Sequence, residues 1–226
     1  MSRSTDLVRQ GLGAALDKAV GIQQPIVDVY LRRARRNRPN ATPEEITTSL
    51  QRQYLAAVTS LGAAGGAAGA VPGPWSPASV ALNVAEVGAF LEASTVFILS
   101  LAAVHDVRVD DLERRRTLVT AILLGDSGSA FVQKAAGRTA PHWGKAIVKG
   151  IPMSAIHQAN GVLGRNFVTK YGTKQGILVL GRQVPFGLGM AIGAGGNAAL
   201  ARTTIAASRR AFGPPPEKWA TTHESR

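Results

Sequence analysis

The chain is 226 residues long, 45% hydrophobic but only 5% aromatic, and carries a net charge of +12. That length supports one sizeable core, and heavy use of Ala and Gly with few aromatic side chains favours closely packed helices over a β-sandwich. It contains no cysteine, which excludes disulfides, thiolate metal sites and cysteine nucleophiles and fits a reducing compartment.

Residues 1–20 read as an amphipathic helix, with Leu7, Leu12, Leu16 and Val20 at helical spacing and Asp6, Arg9, Asp17 and Lys18 between them. The segment has neither the apolar centre nor the small-residue cleavage site of a signal peptide, so a cytoplasmic protein is expected. A second helix is expected over 22–36, followed by a linker over 37–40. Arg32, Arg33, Arg35, Arg36 and Arg38 make the densest basic run. Cations suit a helix C-terminus, and Asp28 stands one turn before Arg32, so the run reads by default as a solvated face, with anion binding as the alternative.

Thr42-Pro43-Glu44-Glu45 is a capping box with proline at the first helical position. The helix that it opens carries Ile46, Leu50, Tyr54, Val58 and Leu61 on one stripe. It then meets the Gly-rich run 61–70, where it either continues as a thin helix or breaks. A turn is expected over 71–75, and Ser76-Pro77 start a long helix that is apolar on nearly all sides and belongs at the centre. Residues 84–104 are the best candidate for a membrane span, but Glu86 and Glu92 count against it. Residues 56–71 and 184–201 are weaker still.

A loop is expected over 105–108, and Asp110-Asp111 open another helix that Gly125-Asp126-Ser127-Gly128 ends. In that helix Asp110 with Arg114 and Asp111 with Arg115 form favourable i, i+4 pairs. Shorter helices follow, divided at Gly137, Ala140-Pro141, Gly150-Ile151-Pro152 and Gly172-Thr173, with alternation suggestive of a strand only over 177–180. The last long helix spans 186–212. Gly213-Pro214-Pro215-Pro216 reads as a solvated extension.

Small residues one turn apart, Gly62 with Gly66, Gly65 with Gly69 and Gly189 with Gly193, let helix backbones approach closely. The two Gly-rich stretches are therefore expected to cross in the core, with Gly196 and Asn197 at the same contact. The expected fold is all-α, a compact helical bundle with two Gly-rich helices and no substantial sheet.

No catalytic constellation emerges. Gly-Asp-Ser-Gly surrounds the nucleophile of trypsin-like proteases, but those need a β-barrel with a His and an Asp set around the serine. Here the string reads as a helix end followed by a cap. His105, His142, His157 and His223 form no i, i+4 pair, and no metal site, cofactor site or dinucleotide fingerprint is recognised.

The charge distribution is the informative feature. Residues 127–216 hold no Asp or Glu but eleven Lys and Arg, where ordinary usage would supply about eleven acids. Such a region is expected to face something negative: membrane phospholipid, nucleic acid or an acidic protein. The candidate contacts are Lys134, Arg138, Lys145, Lys149, Arg165, Lys170 and Lys174, with Trp143 among them as an indole suited to headgroup depth. Trp143 would equally suit stacking on single-stranded nucleic acid, but the region has few other aromatics and no RNA-binding module.

Three passages resemble the EcsC family: the run 61–70 leading through Val71-Pro72-Gly73-Pro74 into an apolar helix; His105-Asp106-Val107 leading to 111–116 and Leu123-Leu124-Gly125; and Val184-Pro185-Phe186-Gly187 through Gly193-Ala194-Gly195-Gly196-Asn197 to Arg209-Arg210-Ala211-Phe212. The resemblance covers most of 55–213. It implies a helical bacterial protein that works at the membrane, with no established reaction and no catalytic residues to transfer.

The organisation expected is N-terminal helices and an Arg-rich linker over 1–40, a helical core over 41–212 and a flexible Pro-rich tail over 213–226. The expected function is non-enzymatic: a cytoplasmic accessory protein, peripheral at the inner face of the membrane, meeting anionic lipid or a membrane protein. Nucleic-acid binding through the same bases is the alternative, and homo-oligomerisation is left open.

Overall fold

A computed structural model describes residues 2–21, 24–68, 77–135, 142–181 and 188–219, with the backbone alone for 2–9, 24, 66–68, 77–84, 149, 170–181 and 188–192. The described residues form nine α-helices and no strand: α1 (Ser2–Val20), α2 (Gln24–Arg36), α3 (Pro43–Ala68), α4 (Pro77–Val104), α5 (Leu112–Leu124), α6 (Asp126–Ala135), α7 (Gly144–Lys149), α8 (Met153–Gly181) and α9 (Leu188–Phe212). The all-α bundle expected from the sequence is what forms.

Local chemistry sets most of the helix ends. Thr42 Oγ1 accepts from the Glu45 amide at 3.3 Å while the Glu45 carboxylate accepts from the Thr42 amide at 2.8 Å, the reciprocal capping box. The stripe behind it is buried at Ile46, Leu50, Tyr54 and Val58, and the helix continues through the glycines to Ala68. Asp111 caps α5 by accepting from the Arg114 amide at 2.8 Å, and Gly125 closes it before Asp126 starts α6. Ser127 Oγ merely donates to the Leu124 carbonyl at 3.1 Å, so the Gly-Asp-Ser-Gly string is a junction between helices.

α4 is the central pillar, packed against α1, α2, α3 and α9. Its segment Ala85–Val104 is long and apolar enough to cross a membrane, yet 67% of it is buried inside the protein. α9 lies along α3, closing the bundle, while α5 carries α6, α7 and α8 on its flanks. The expected crossing of Gly-rich helices is present: a Cβ at Gly62 would run into the Gly193 carbonyl and come within 2.7 Å of Asn197 Nδ2. Asn197 is buried and donates to the Val58 carbonyl at 3.3 Å and to Glu86 Oε1 at 3.1 Å. Gly65 instead faces α4, where a Cβ would meet the Glu86 carboxylate. Gly66 and Gly189 contribute helical backbone, Gly196 is half-buried beside Asn197, and Gly69 lies outside the described residues.

Four expectations need correction. Gly172-Thr173 does not divide a helix, and 177–180 is not a strand, because α8 runs unbroken through both. The tail does not leave the surface at once. Gly213, at φ 78°, turns the chain after α9, and Trp219 returns to donate to the Ala41 carbonyl at 2.9 Å with the Arg35 guanidinium 4.2 Å over its ring. Finally, the Arg114–Arg116 trio is not neutralised within its own helix alone. Arg114 donates to the Ile147 carbonyl of α7, Arg116 pairs with Asp17 of α1 at 2.8 Å, and buried Arg115 donates to the carbonyls of Val109, Asp110 and Val20. Asp28 also pairs with Arg108, 80 residues on, at 3.2 Å.

Candidate functional site

The acid-free region supplies cations of two kinds. Lys134 on α6, Lys145 on α7, Arg165 on α8 and Arg202 on α9 are exposed and make no ion pair among the described residues. Arg210 is compensated by a carboxylate lying just before the region, Asp126, at 2.8 Å. Lys149, Lys170 and Lys174 stand on helical backbone, and Arg138 lies outside the described residues. Trp143 does not behave as expected: it is 1% exposed and packed in the core, so it leaves no ring face for a bilayer interface or for stacking on a nucleobase. Its burial follows from the docking of α7 on α9, where Gly144 lies so close to Phe212 that a Cβ would come within 2.7 Å of the ring.

The same docking opens a cleft of about 600 Å³ between the first turns of α3, the end of α4, α6, the entrance to α7 and the end of α9. Thr47 and Gln51, one turn apart on α3, line one wall; His105, His142 and Trp143 line another; Arg209 and Arg210 stand at the C-terminus of α9. His105 is set by the way α4 ends. The Val107 amide donates to the Ala102 carbonyl at 2.9 Å and the Asp106 amide to the Ala103 carbonyl at 3.1 Å, with Asp106 at φ 57°. That is a Schellman ending with aspartate in the position glycine usually takes, and it leaves His105 as the last residue before the turn. The His105 ring stacks on Phe212 at 5.5 Å.

Among the residues that line this cleft, four buried polar atoms have no hydrogen-bond partner within the described residues: Thr47 Oγ1, Gln51 Nε2, His105 Nε2 and Trp143 Nε1. Their residues are 4%, 7%, 5% and 1% exposed. A buried polar group without a partner costs about 1–3 kcal/mol, and four at one cleft is a concentration that demands a reason. The opposite end of Gln51 is engaged, its Oε1 accepting from Arg209 at 2.6 Å. Burial, reinforced by the nearby positive charge of Lys145 and His142, pushes the His105 pKa down to about 4. This imidazole is therefore neutral at physiological pH.

A second cleft, of about 750 Å³, lies between α1, α2, α3 and α4. Its polar groups are already matched: Lys18 with Glu92 at 2.8 Å, Tyr30 with Gln53 at 3.1 Å, and Tyr54 with Ser94 at 2.7 Å. Among the described residues no three His, Asp or Glu side chains converge as a metal site would require. The sequence reading missed Thr47, Gln51, His105, His142, Arg209 and Arg210 as a group. The one available signal was Thr47 with Gln51, a polar i, i+4 pair beside the buried stripe of α3. Set against protein-family models, curated proteins and solved structures, the chain matches none of them.

Proposed function

We propose that this is an EcsC-like, non-enzymatic accessory protein that docks peripherally on the anionic cytoplasmic face of a membrane through the bases of its acid-free region. The observation that carries this reading is the set Lys134, Lys145, Arg165 and Arg202, exposed on four different helices without carboxylate partners among the described residues. Each base held near an anionic bilayer contributes about 1 kcal/mol, so a handful suffices for reversible attachment. α2 adds what cations alone lack. Ile26 and Val29 are 53% and 56% exposed and stand on the outward side of the helix with Arg33 and Arg36, the layout of an interfacial amphipathic helix. With Trp143 in the core, the nucleic-acid alternative loses the stacking ring on which it leaned.

Vesicle flotation tests the reading. The protein is expected to float with vesicles containing anionic lipid at low salt, to dissociate as salt is raised, and to stay at the bottom with neutral vesicles. Recovery that is equal on neutral and anionic vesicles would refute it, as would tight, salt-sensitive binding to DNA in place of lipid.

A further inference from the structure

We propose that the cleft between α3, the entrance to α7 and the end of α9 binds a phosphate-bearing small molecule or headgroup, held by Thr47, Gln51 and Trp143 and by the guanidinium groups of Arg209 and Arg210. This site stands apart from the membrane reading, since a soluble ester can fill it with no bilayer present.

The argument starts from what the unpartnered atoms can do. Trp143 Nε1 is a donor only, and with Gln51 Oε1 taken by Arg209 the free end of that amide is a donor too. The Gln51 bond also fixes the Arg209 side chain at the cleft wall. A ligand that satisfies this lining must bring acceptors. An anion suits it best: the lining holds one carboxylate, Glu44, against two guanidinium groups, Arg209, bonded to the neutral Gln51, and Arg210, whose ion pair with Asp126 lies at the exposed surface. A terminal phosphate presents three oxygens to such a set, where a carboxylate presents two. The remaining lining includes Leu101, Pro214 and Pro215, which suit the carbon part of an ester better than a bare ion. The volume of about 600 Å³ falls within the ~300–1,000 Å³ of small-molecule sites.

The rival explanation is a few trapped waters, and the two differ in what mutation does. The test is calorimetric titration of the full chain with glycerol phosphate, short-chain phosphatidic acid, inorganic phosphate and, as neutral control, glycerol. Saturable binding of at least one ester is expected, with inorganic phosphate weaker and glycerol silent. Thr47→Val and Trp143→Phe should each weaken it about tenfold or more, the loss expected for a hydrogen bond to a charged group. Arg52→Gln, a neighbour of Gln51 turned to solvent, should leave it unchanged. Thr47→Val is nearly isosteric and removes only an unpartnered hydroxyl, so its melting temperature should hold or rise, separating lost binding from lost folding. Tighter binding of glycerol phosphate assigns a soluble ester, and tighter binding of phosphatidic acid a lipid headgroup. No saturable binding of any phosphate, or wild-type affinity in both Thr47→Val and Trp143→Phe, overturns the site.

Discussion

Single side chains in this protein are often committed to distant backbone. Arg115 is the clearest case: its guanidinium, 6% exposed, joins the last carbonyl of α1 to the carbonyls of Val109 and Asp110 just before α5. Nothing in the local sequence announces this, because a run of three arginines after two aspartates satisfies i, i+4 pairing on paper. Burial decides otherwise, since carbonyls closed off from water need donors that only a long, forked side chain can bring from another helix. His105 shows the same dependence on surroundings, with a testable consequence. Its folded pKa of about 4 lies below the ordinary 6.5, so as pH falls the unfolded chain takes up the proton first. Stability should be unaffected by this group above about pH 7 and decline between about pH 6.5 and pH 4. Comparing urea midpoints at about pH 7 and pH 5, the wild type should lose more than His105→Gln. Equal losses would show that His105 is not held neutral.

Helix boundaries were legible wherever a local motif sets them. The Thr42–Glu45 box, the Asp111 cap, the Gly125 stop and the Gly150-Ile151-Pro152 break all carry their instructions within a few residues. Gly172-Thr173 misled because a glycine inside a helix only weakens it by about 1 kcal/mol, which packing of a 29-residue helix readily overrides. The glycines themselves divide by environment. Gly62 is where α3 and α9 touch backbone to backbone, whereas around Gly161 on α8 a Cβ would meet nothing within 4 Å. Gly62→Leu should therefore destabilise by about 2 kcal/mol or more through overpacking, while Gly161→Ala should stabilise by about 0.5–1 kcal/mol. Chemical denaturation of both variants checks the pair, and a neutral Gly62→Leu would mean that the helices do not cross there.

At the scale of the whole molecule the charge asymmetry could be counted from the sequence, but its destination could not. The cleft was invisible for the same reason: it is assembled from Thr47 and Gln51, His105, Trp143 and Arg209, residues separated by most of the chain and brought together only by the return of α9 along α3. Trp143 went wrong because an indole between lysines looks like a surface anchor until α7 docks and buries it. What persists is the group of exposed cations that have no ion-pair partner among the described residues. The most direct measurement is the partition of the protein onto vesicles with about a quarter anionic lipid, wild type against a variant carrying Lys134→Gln, Lys145→Gln, Arg165→Gln and Arg202→Gln. At about 1 kcal/mol for each base at the surface, even two engaged cations give a loss of about tenfold or more. Undiminished partition of the neutralised variant, with its fold intact, would contradict the account.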